Sequence, residues 1–463
     1  ISRCRIYPRK TMRLRKTITT IVATAILLAG WQLFAVIANQ PELIPSLPRL
    51  VRTLCEWLVS GSFYQSVGAT ILRGVLGMSI SFVCAIGMAG LFARFEWVYE
   101  LFRPLLAIMR SIPVISFILL ALIFLNPESI PLMIAFLTMF PLLTENLTRG
   151  ILDLRPGLSI MARQFHIRRS NVLFQIIYPQ LKPFLYSGLA SAAGFGWRAI
   201  IMGEVLSQCA FGIGSEMKRA QNFIAVPELL AWTIVAVFIS FFFDKGISKV
   251  ADITPKISFA NEDQTIPTPT LSVLDTKDIS YQYGIQHFSH SFQKGIIYGI
   301  SAPSGKGKTT LLNLIGGILL PTEGEIHPTR HFGIATIFQQ PQLLPHLTAE
   351  ENIILPLSSF LTEEKARRIA QKHLQEMEME PFGNRYPKEL SYGQQQRIAI
   401  ARALAYPSPL LLMDEPFKGL DEALSHRIIE RIREKQMKEE RIILFTSHNP
   451  DEIRLLADEV IYL

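Results

Sequence analysis

The chain has 463 residues, of which 49% are hydrophobic and 18% charged, and its formal net charge is +8. This length allows two or three domains. A net positive charge is typical of a nucleic-acid-binding protein or of a membrane protein with Lys and Arg in its cytoplasmic loops. The long apolar runs of this chain favour the membrane protein. The four scattered cysteines have no metal-ligand spacing, so we expect free thiols and neither a zinc nor a redox role.

A basic arm precedes the first apolar run. Residues 1–17 contain no acid and seven basic residues, which are Arg3, Arg5, Arg9, Lys10, Arg13, Arg15 and Lys16. Secretory signal peptides also begin with positive charge. The apolar run that follows, 18–38, is too long for a signal peptide and lacks a clear small-residue cleavage site. It therefore predicts a first membrane span.

Apolar stretches of about 20 residues satisfy their backbone polar groups as helices in lipid. Six such spans are predicted, at 18–38, 66–92, 104–125, 129–147, 184–206 and 228–247. Six spans place the basic arm, the basic loop 148–183 and the segment after the last span on one side, which the positive-inside rule makes cytoplasmic. The transmembrane domain would cover 18–250. Residues 47–60 are too short and charged to span, and indicate an amphipathic helix at the outer surface or a packed helix there.

Some charged residues fall inside the predicted spans, among them Arg73, Arg198 and Glu204. Each would cost about 3 kcal/mol at the bilayer centre unless it is paired or hydrated. They indicate either a translocation pathway or a buried Arg198–Glu204 ion pair that fixes helix packing. Arg110, just before Ile112 and Pro113, lines a gate or lies at an interface.

The cytoplasmic loop between the fourth and fifth spans carries a recognisable spacing. Its centre, about 157–175, predicts a short helix pair outside the membrane. The loop resembles the coupling loop of bacterial ABC importer permeases, whose pattern is E-A-A, three residues, G, nine residues, I-x-L-P. Ile160 stands in place of the Glu and His166 in place of the Gly. The resemblance implies a contact with an ATPase through Ile160, Ala162, His166 and Pro179.

Other stretches narrow this resemblance. The segments IPSLPRLVRTL, ATILRGVLG, RPLLAIMRSIP and GWRAIIMGEVL are similar to the permease group that serves nitrate, sulfonate, taurine, bicarbonate and thiamine-precursor importers. The likeness covers most of residues 40–250. It implies a separate periplasmic or lipid-anchored solute-binding protein. Residues 251–270 contain three prolines and few large apolar side chains, which predicts an extended linker.

The octet APSGKGKT at 302–309 differs at one position from the phosphate-binding pattern G-x-x-x-x-G-K-[ST]. A predicted strand, 295–300, precedes it and a predicted helix, 309–315, follows, which is the context that the motif requires. Gly305 and Gly307 let the backbone approach phosphate, and the helix N-terminus adds partial positive charge.

We expect Lys308 to reach the β- and γ-phosphates of ATP and Thr309 to ligate Mg²⁺. Ala302 replaces the first Gly, which is tolerable if its φ is negative. The predicted ATP-binding residues of this loop are Ala302, Pro303, Ser304, Gly305, Lys306, Gly307, Lys308, Thr309 and Thr310.

Two acids follow the apolar run 410–413. A buried parallel strand would deliver Asp414 and Glu415 to the active edge of a sheet. Asp414 would then hold Mg²⁺ through water and Glu415 would polarise the attacking water. An ordinary acid pair at a strand end is the alternative.

The pentapeptide LSYGQ at 390–394 resembles the LSGGQ sequence that defines the ABC ATPases, with Tyr392 in place of a Gly. The resemblance implies that this segment meets the γ-phosphate of ATP held by a second subunit, and that ATP and Mg²⁺ are the cofactors. Its four predicted contact residues are Ser391, Tyr392, Gly393 and Gln394. It further implies a Q-loop glutamine that senses Mg²⁺ (Gln339), a switch histidine (His448), a dimer contact (Asp421) and an adenine-stacking tyrosine (Tyr283, with Tyr281 as the alternative).

The sequence therefore predicts an α-helical membrane domain followed by an α/β P-loop ATPase domain at 271–463. We expect half of a bacterial inner-membrane importer, with its N-terminus and ATPase in the cytoplasm, that moves a small polar solute such as nitrate, a sulfonate, taurine or a thiamine precursor. The expected partners are a second identical chain, the solute-binding protein and membrane lipid, but no nucleic acid. An exporter or flippase, or a non-transporting signalling ATPase, is the alternative.

Overall fold

The computed structural model describes residues 9–251, 255–264, 271–282, 284–303, 305–328 and 333–463. The chain divides into two compact units. One is Ile1–Asp153 with Leu181–Ile253, and the other is Leu154–Gln180 with Thr254–Leu463. The segment 154–180, predicted from sequence as a loop of the membrane domain, therefore packs with the ATPase half of the chain.

The first unit is helical. Its helices are α1 (Arg9–Ala38), α2 (Leu47–Trp57), α3 (Gly61–Arg94), α4 (Glu96–Ser111), α5 (Val114–Phe124), a 3₁₀ turn (Pro127–Ser129), α6 (Ile130–Leu152), α9 (Tyr178–Ser207), α10 (Ile213–Asn222) and α11 (Val226–Ala251). Within the described ranges, five helices are long and apolar enough to cross a membrane, and a sixth span results if α4 and α5 are counted as one.

The predicted span 104–125 is wrong as a single straight helix, because α4 and α5 meet at 94°. Pro113 causes the break. A proline disfavours helical backbone in the residue before it, and Ile112 accordingly adopts an extended conformation at the end of α4. Pro113 itself is the N-cap of α5.

Small residues let the spanning helices approach closely. A Cβ added to Gly77 of α3 would lie 2.6 Å from the Cβ of Ala135 in α6, and one added to Gly203 of α9 would lie 3.1 Å from the Cα of Pro131. Without a hydrophobic driving force between helices in lipid, such backbone proximity is a main source of association. α6 is thereby packed between α3 and α9.

A buried carboxylate, Glu204 of α9, ties α9 to α3. Its side chain accepts hydrogen bonds from Arg73 Nη1 at 2.8 Å, Thr70 Oγ1 at 2.9 Å and the backbone N–H of Gly214 at 2.9 Å. The predicted Arg198–Glu204 pair is therefore wrong. Six residues of helix separate these two by about 120° around the axis, so Glu204 turns towards α3 while Arg198 is exposed.

Replacing Glu204 with Ala should remove the buried partner of Arg73, which keeps only Glu128, and should leave the hydroxyl of Thr70 and the N–H of Gly214 without their acceptor. Breaking a buried ion pair in this way costs about 3–5 kcal/mol. Thermal unfolding of the purified protein in detergent should show a clearly lower midpoint. The matched control is Glu228→Ala, at an exposed glutamate near the start of α11. Equal midpoints for the two variants would contradict the assignment of Glu204 as a packing residue.

The second unit is α/β. Its strands are β1 (Val273–Tyr281), β2 (Ile285–Gln293), β3 (Ile297–Ser301), β4 (Glu323–His327), β5 (Ala335–Ile337), β6 (Leu410–Asp414), β7 (Ile442–Thr446) and β8 (Glu459–Tyr462). β1, β2 and β4 form an antiparallel sheet in the order β2-β1-β4. The other five form a parallel sheet in the order β5-β6-β7-β3-β8.

Helices surround the parallel sheet. They are α7 (Pro156–Gln164), α8 (Arg169–Asn171) with a π-helical turn (Val172–Ile177), α12 (Lys308–Ile315), α13 (Ala349–Leu357), α14 (Glu363–Glu376), α15 (Tyr392–Ala405), α16 (Glu422–Glu439) and α17 (Pro450–Leu456), with 3₁₀ turns at Glu380–Phe382 and Pro387–Glu389. Every residue of β6 and β7 is buried, as expected for central parallel strands. The carboxyl ends of β3, β6 and β7 therefore meet at one edge.

Candidate active site

The phosphate loop runs from β3 to α12, as the sequence predicts. Gly305 has a φ of 82° and Gly307 a φ of 91°, a region that side chains disfavour. A Cβ on Gly307 would also lie 2.7 Å from the carbonyl oxygen of Gly284. Both glycines are therefore required for this loop conformation, and Ala302 is not among the described residues with positive φ.

The other residues predicted to bind ATP lie along the same loop or just after it. Pro303 and Lys306 are exposed, and Thr310 lies in the first turn of α12. Ser304 and Tyr283 lie outside the described residues. Tyr281, the alternative adenine-stacking residue, ends β1.

Lys308 opens α12 and is 7% exposed. Its ammonium group donates to the carbonyl oxygen of Ala302 at 2.6 Å and lies 3.4 Å from Nδ1 of His448. The charge is thus held over the phosphate loop by two neighbours. A buried lysine at the start of a helix adds to the positive potential of the helix N-terminus.

Asp414 joins two elements at the edge of the sheet. Its Oδ2 accepts a hydrogen bond from Oγ1 of Thr309 at 2.9 Å, and its Oδ1 accepts one from Oγ1 of Thr446 at 2.8 Å. The register of β6 and β7 pairs Asp414 directly with Thr446. The sequence reasoning missed Thr446, although its place at the end of a second apolar strand was the signal.

Glu415 follows β6 with a φ of 49°, a left-handed conformation that is strained for a glutamate. Its carboxylate contacts His448 Nε2 at 2.9 Å and Lys418 Nζ at 3.1 Å. Partial burial raises the pKa of Glu415. The hydrogen bonds of Lys418 and Gln339 and the charge of Lys418 outweigh burial, so that this pKa lies below its ordinary value. Lys418 was not predicted from sequence.

One tautomer of His448 satisfies both of its contacts. With the proton on Nε2, the ring donates to Glu415 and its Nδ1 accepts from Lys308. In this arrangement the imidazole connects the lysine of the phosphate loop to the carboxylate after β6. Two of the three predicted catalytic residues, Glu415 and His448, are therefore in direct contact, and the third is Gln339.

Gln339 lies with Thr309 and Asp414 around a cavity of about 250 Å³. A hydroxyl, an amide oxygen and a carboxylate are hard oxygen donors of the type that Mg²⁺ prefers, and Mg²⁺ commonly takes few protein ligands besides phosphate and water. The residues present therefore fit the predicted magnesium site. Among the described residues, no cluster of three His, Cys, Asp or Glu side chains offers an all-protein metal cage.

The LSYGQ segment caps α15. The side chain of Ser391 accepts from the N–H of Gln394 at 3.3 Å, and the side chain of Gln394 accepts from the N–H of Ser391 at 2.9 Å, which is a capping box. Gly393 packs closely on the following loop, since a Cβ there would lie 2.6 Å from the carbonyl oxygen of Gly419. Asp421 caps α16 by accepting from the N–H of Leu424 at 2.9 Å.

Tyr392, the departure from the family pattern, links two of these loops. Its hydroxyl donates to the carbonyl oxygen of Gln339 at 2.8 Å. A Cβ on Gly419 would lie 2.8 Å from the ring of Tyr392, so the ring occupies the space beside that glycine. The tyrosine therefore connects the backbone of the Q-loop to the start of α15.

The segment 154–180 packs into the ATPase half of its own unit. Ile160 borders the same cavity as Gln339, and Ala162 is buried. His166 has a φ of 46°, which explains the family's glycine at this position. Pro179 lies in the first turn of α9, where a proline is tolerated.

The deepest contacts of this segment come from residues that the sequence reasoning missed. Phe165 is fully buried, with its ring centroid 5.2 Å from that of Tyr406 and 5.4 Å from the guanidinium of Arg402. Gln164 donates from Nε2 to the carbonyl oxygen of Gly316 at 2.8 Å. An aromatic residue in a basic loop was the available signal for Phe165.

Arg402 joins Phe165 to the Q-loop. Its guanidinium donates to the carbonyl oxygens of Pro341 at 2.9 Å and Gln342 at 2.8 Å. Complete burial lowers the pKa of Arg402 to about 9. The backbone after Gln339 is thus fixed to the same arginine that stacks on Phe165.

Two family models match the chain. Residues 285–418 match the model described as ABC transporter, and residues 79–244 match the one described as binding-protein-dependent transport system inner membrane component. An uncharacterized ABC transporter ATP-binding protein of Methanocaldococcus jannaschii is 34% identical over 201 residues, which are 39% of this chain and 85% of that protein. The chain belongs to the ABC transporter family.

Named import proteins are among the relatives of this ABC transporter chain. A thiamine import ATP-binding protein of Yersinia pseudotuberculosis is 34% identical over 205 residues, covering 41% of this chain and 86% of that protein. An Fe(3+) ions import ATP-binding protein of Rhizobium etli is 35% identical over 189 residues, covering 39% of this chain and 54% of that protein. The chain spans about half the length of the first curated relatives that it matches.

Among solved structures, a dimeric ATP-binding cassette in a post-hydrolysis state, bound to ADP and Pi, has 32% sequence identity. It covers 41% of this chain and 94% of its own, with a TM-score of 0.39. The predicted fold class is confirmed, as is the fusion of a permease domain with an ABC ATPase domain in one multi-pass membrane protein. The predicted substrate group stays a prediction.

Replacing Phe165 with Ala should loosen α7 from the ATPase half. Truncating a buried aromatic side chain costs about 3–5 kcal/mol. Amide hydrogen exchange in peptides covering residues 156–167 should be at least about tenfold faster, which corresponds to 1.4 kcal/mol of local opening. Phe174→Ala, at an exposed phenylalanine of the same segment, is the matched control. Unchanged exchange in the Phe165 variant would show that this side chain does not anchor α7.

Proposed function

We propose that the chain is one half of an ATP-driven importer in the bacterial inner membrane, with its ATPase domain and N-terminus in the cytoplasm. The observation that carries the proposal is the placement of Glu415. Its carboxylate lies between His448 and Lys418, directly after the strand whose Asp414 contacts the phosphate loop. This is the arrangement that hydrolysis of a phosphate bound at Lys308 requires.

Each residue of the site has a chemical part in this proposal. Thr309, Gln339 and Asp414 would hold Mg²⁺, which when bound neutralises the charge that develops on the phosphoryl oxygens. The main-chain N–H groups of 305–309 and the ammonium of Lys308 bind the phosphates. These hydrogen-bond donors are already oriented towards the phosphates, so they need no reorientation during the reaction.

Glu415 orients the attacking water. Because its pKa is lowered, the carboxylate is ionised at neutral pH and accepts a hydrogen bond from water. His448 donates to the other side of this carboxylate and fixes its direction. Gln339, which contacts the same carboxylate, brings the Q-loop into the site.

A second copy completes the site in this proposal. The N-terminus of α15, capped by Ser391 and Gln394, is an anion-binding end of a helix. Facing two ATPase domains head to tail would bring this end to the γ-phosphate held by the partner, with Gly393 and Tyr392 beside it. Asp421 would lie at the same contact.

Import requires that closure of the ATPase domains reaches the membrane spans. The route that we propose runs from the Q-loop carbonyls through Arg402 to Phe165 and α7. The match to a binding-protein-dependent permease model supports delivery of solute by a separate periplasmic or lipid-anchored binding protein. Relatives named for Fe(3+) and thiamine import support import over export.

The solute that we propose is small and polar. The permease segments resemble the group that serves nitrate, sulfonates, taurine and thiamine precursors. Charged side chains along the solute pathway would select among these solutes. An exporter or flippase would instead be stimulated by lipid or hydrophobic drugs alone. A non-transporting signalling ATPase would turn over ATP without solute flux.

Replacing Glu415 with Gln should reduce ATP hydrolysis by about a hundredfold or more, because loss of a general base typically costs that factor. ATP binding should persist, since the phosphate loop is unchanged. Phosphate release and fluorescent-nucleotide binding measure the two properties separately. Glu422→Gln, at an exposed glutamate in the first turn of α16, is the matched control. Normal turnover in the Glu415 variant would refute the assignment.

A further inference from the structure

An apolar groove of about 600 Å³ opens between α3, α9 and α11 of the helical unit. It follows α11 from Ile239 to Ile247 and is bordered by Ile71 of α3 and by Tyr186 and Leu189 of α9. Its lining contains no charged side chain. A polar solute would lose its hydration there without gaining hydrogen bonds, so the groove does not suit the transported solute.

The groove has the depth of one leaflet of a bilayer. Ile239 and Ile247 are eight residues apart, which is about 12 Å of helix, and α11 ends at Ala251, four residues further on. Half of a hydrocarbon core of about 30 Å has a similar extent. An acyl chain that enters near the end of α11 would therefore stay within one leaflet.

Gly246 keeps the groove open. A Cβ added to this glycine would meet no atom within 4 Å, so close packing between helices does not require a glycine here. Glycine in the interior of a helix is unfavourable relative to alanine. The residue thus weakens α11 at a point where a larger side chain would narrow the groove.

Two lysines of α11 follow the groove at this end. Lys249 lies three residues after Gly246 and seven after Phe242, which places it on the same face of the helix. Lys245, three residues after Phe242, borders that face. Both lysines are exposed, and within the part of the chain that the structure describes neither forms an ion pair. Asp244 is two residues from both Phe242 and Gly246, so it lies on the opposite face.

A third lysine lies at the same end on α9. Lys182 precedes Tyr186 by four residues, which is one helical turn. Tyr186 lies near the start of α9 and Gly246 near the end of α11, and both border the groove. The positive-inside rule alone accounts for lysines at a cytoplasmic end. Their position beside an open apolar groove points to a lipid as well.

A second copy of the chain fits this surface less well than a lipid does. A two-fold interface brings the same patch of each subunit together. The lysines of both copies would then meet at one end of the interface, where like charges repel each other. An anionic phospholipid matches both features, because it carries an apolar chain and a negative headgroup.

We propose that the groove binds one acyl chain of an anionic phospholipid, whose phosphate contacts Lys249 and Lys245. The chain fills the space between α9 and α11, and the phosphate neutralises the charge at the end of α11. The bound lipid thereby holds α11, the helix that precedes the linker, against α9. This inference depends neither on the direction of transport nor on the solute.

The test is lipid binding by the full-length protein, purified in an uncharged detergent and washed free of native lipid. Thermal unfolding is followed as dioleoyl phosphatidylglycerol or dioleoyl phosphatidylcholine is added. Phosphatidylglycerol should stabilise the wild type saturably, at a half-saturating concentration at least about tenfold below that of phosphatidylcholine. Gly246→Leu, whose side chain would enter the groove, should raise the value for phosphatidylglycerol at least about tenfold. Combined Lys245→Gln and Lys249→Gln should make the two lipids equivalent.

Gly87→Leu is the matched control. Gly87 is an exposed glycine of α3 and, like Gly246, has no atom within 4 Å of an added Cβ. This variant should bind phosphatidylglycerol as the wild type does. Equal half-saturation for the wild type and Gly246→Leu would overturn the inference, as would equal half-saturation of the wild type by the two lipids. A lipid-free wild type that is dimeric where Gly246→Leu is monomeric would also overturn it, because the groove would then be an interface between copies.

Discussion

The carboxylate of Asp414 is the interaction on which the nucleotide site depends. By accepting hydrogen bonds from Thr309 and Thr446, it fixes the start of α12 to the ends of β6 and β7. Parallel strands place these residues at one edge, and the buried sheet leaves them little freedom. The hydroxyl of Thr446 also accepts from the N–H of Glu415 at 3.1 Å. The position of the glutamate therefore follows from the same hydrogen-bonded group.

A continuous set of contacts leads from this site to the segment that the permease sequence contributes. The backbone of Gln339 is held by Tyr392, the next residues by Arg402, and Arg402 by its stacking on Phe165. Arg402 and Phe165 are both buried, so displacement of one requires displacement of the other. Such a set can carry a two-state change of the Q-loop to α7 without a flexible intermediate.

The sequence was sufficient where chemistry dictates residue type. Glycines at the phosphate loop and acids at a strand end follow from what phosphate and Mg²⁺ need. It was insufficient where partners come from distant segments. Glu204 pairs with Arg73 across 131 residues rather than with the nearby Arg198, and Phe165 inserts beside Arg402. Helix periodicity gives the direction of a side chain, but only the packing of helices names its neighbour.

The central claim is that ATP turnover in one half of the chain drives solute through the other half. The most direct measurement is uptake of labelled solute into liposomes that contain the protein, with its binding protein and ATP supplied on their respective sides. The account predicts accumulation against a gradient that disappears in the Glu415→Gln variant. ATP hydrolysis at an unchanged rate with and without solute and binding protein, together with no accumulation, would contradict it.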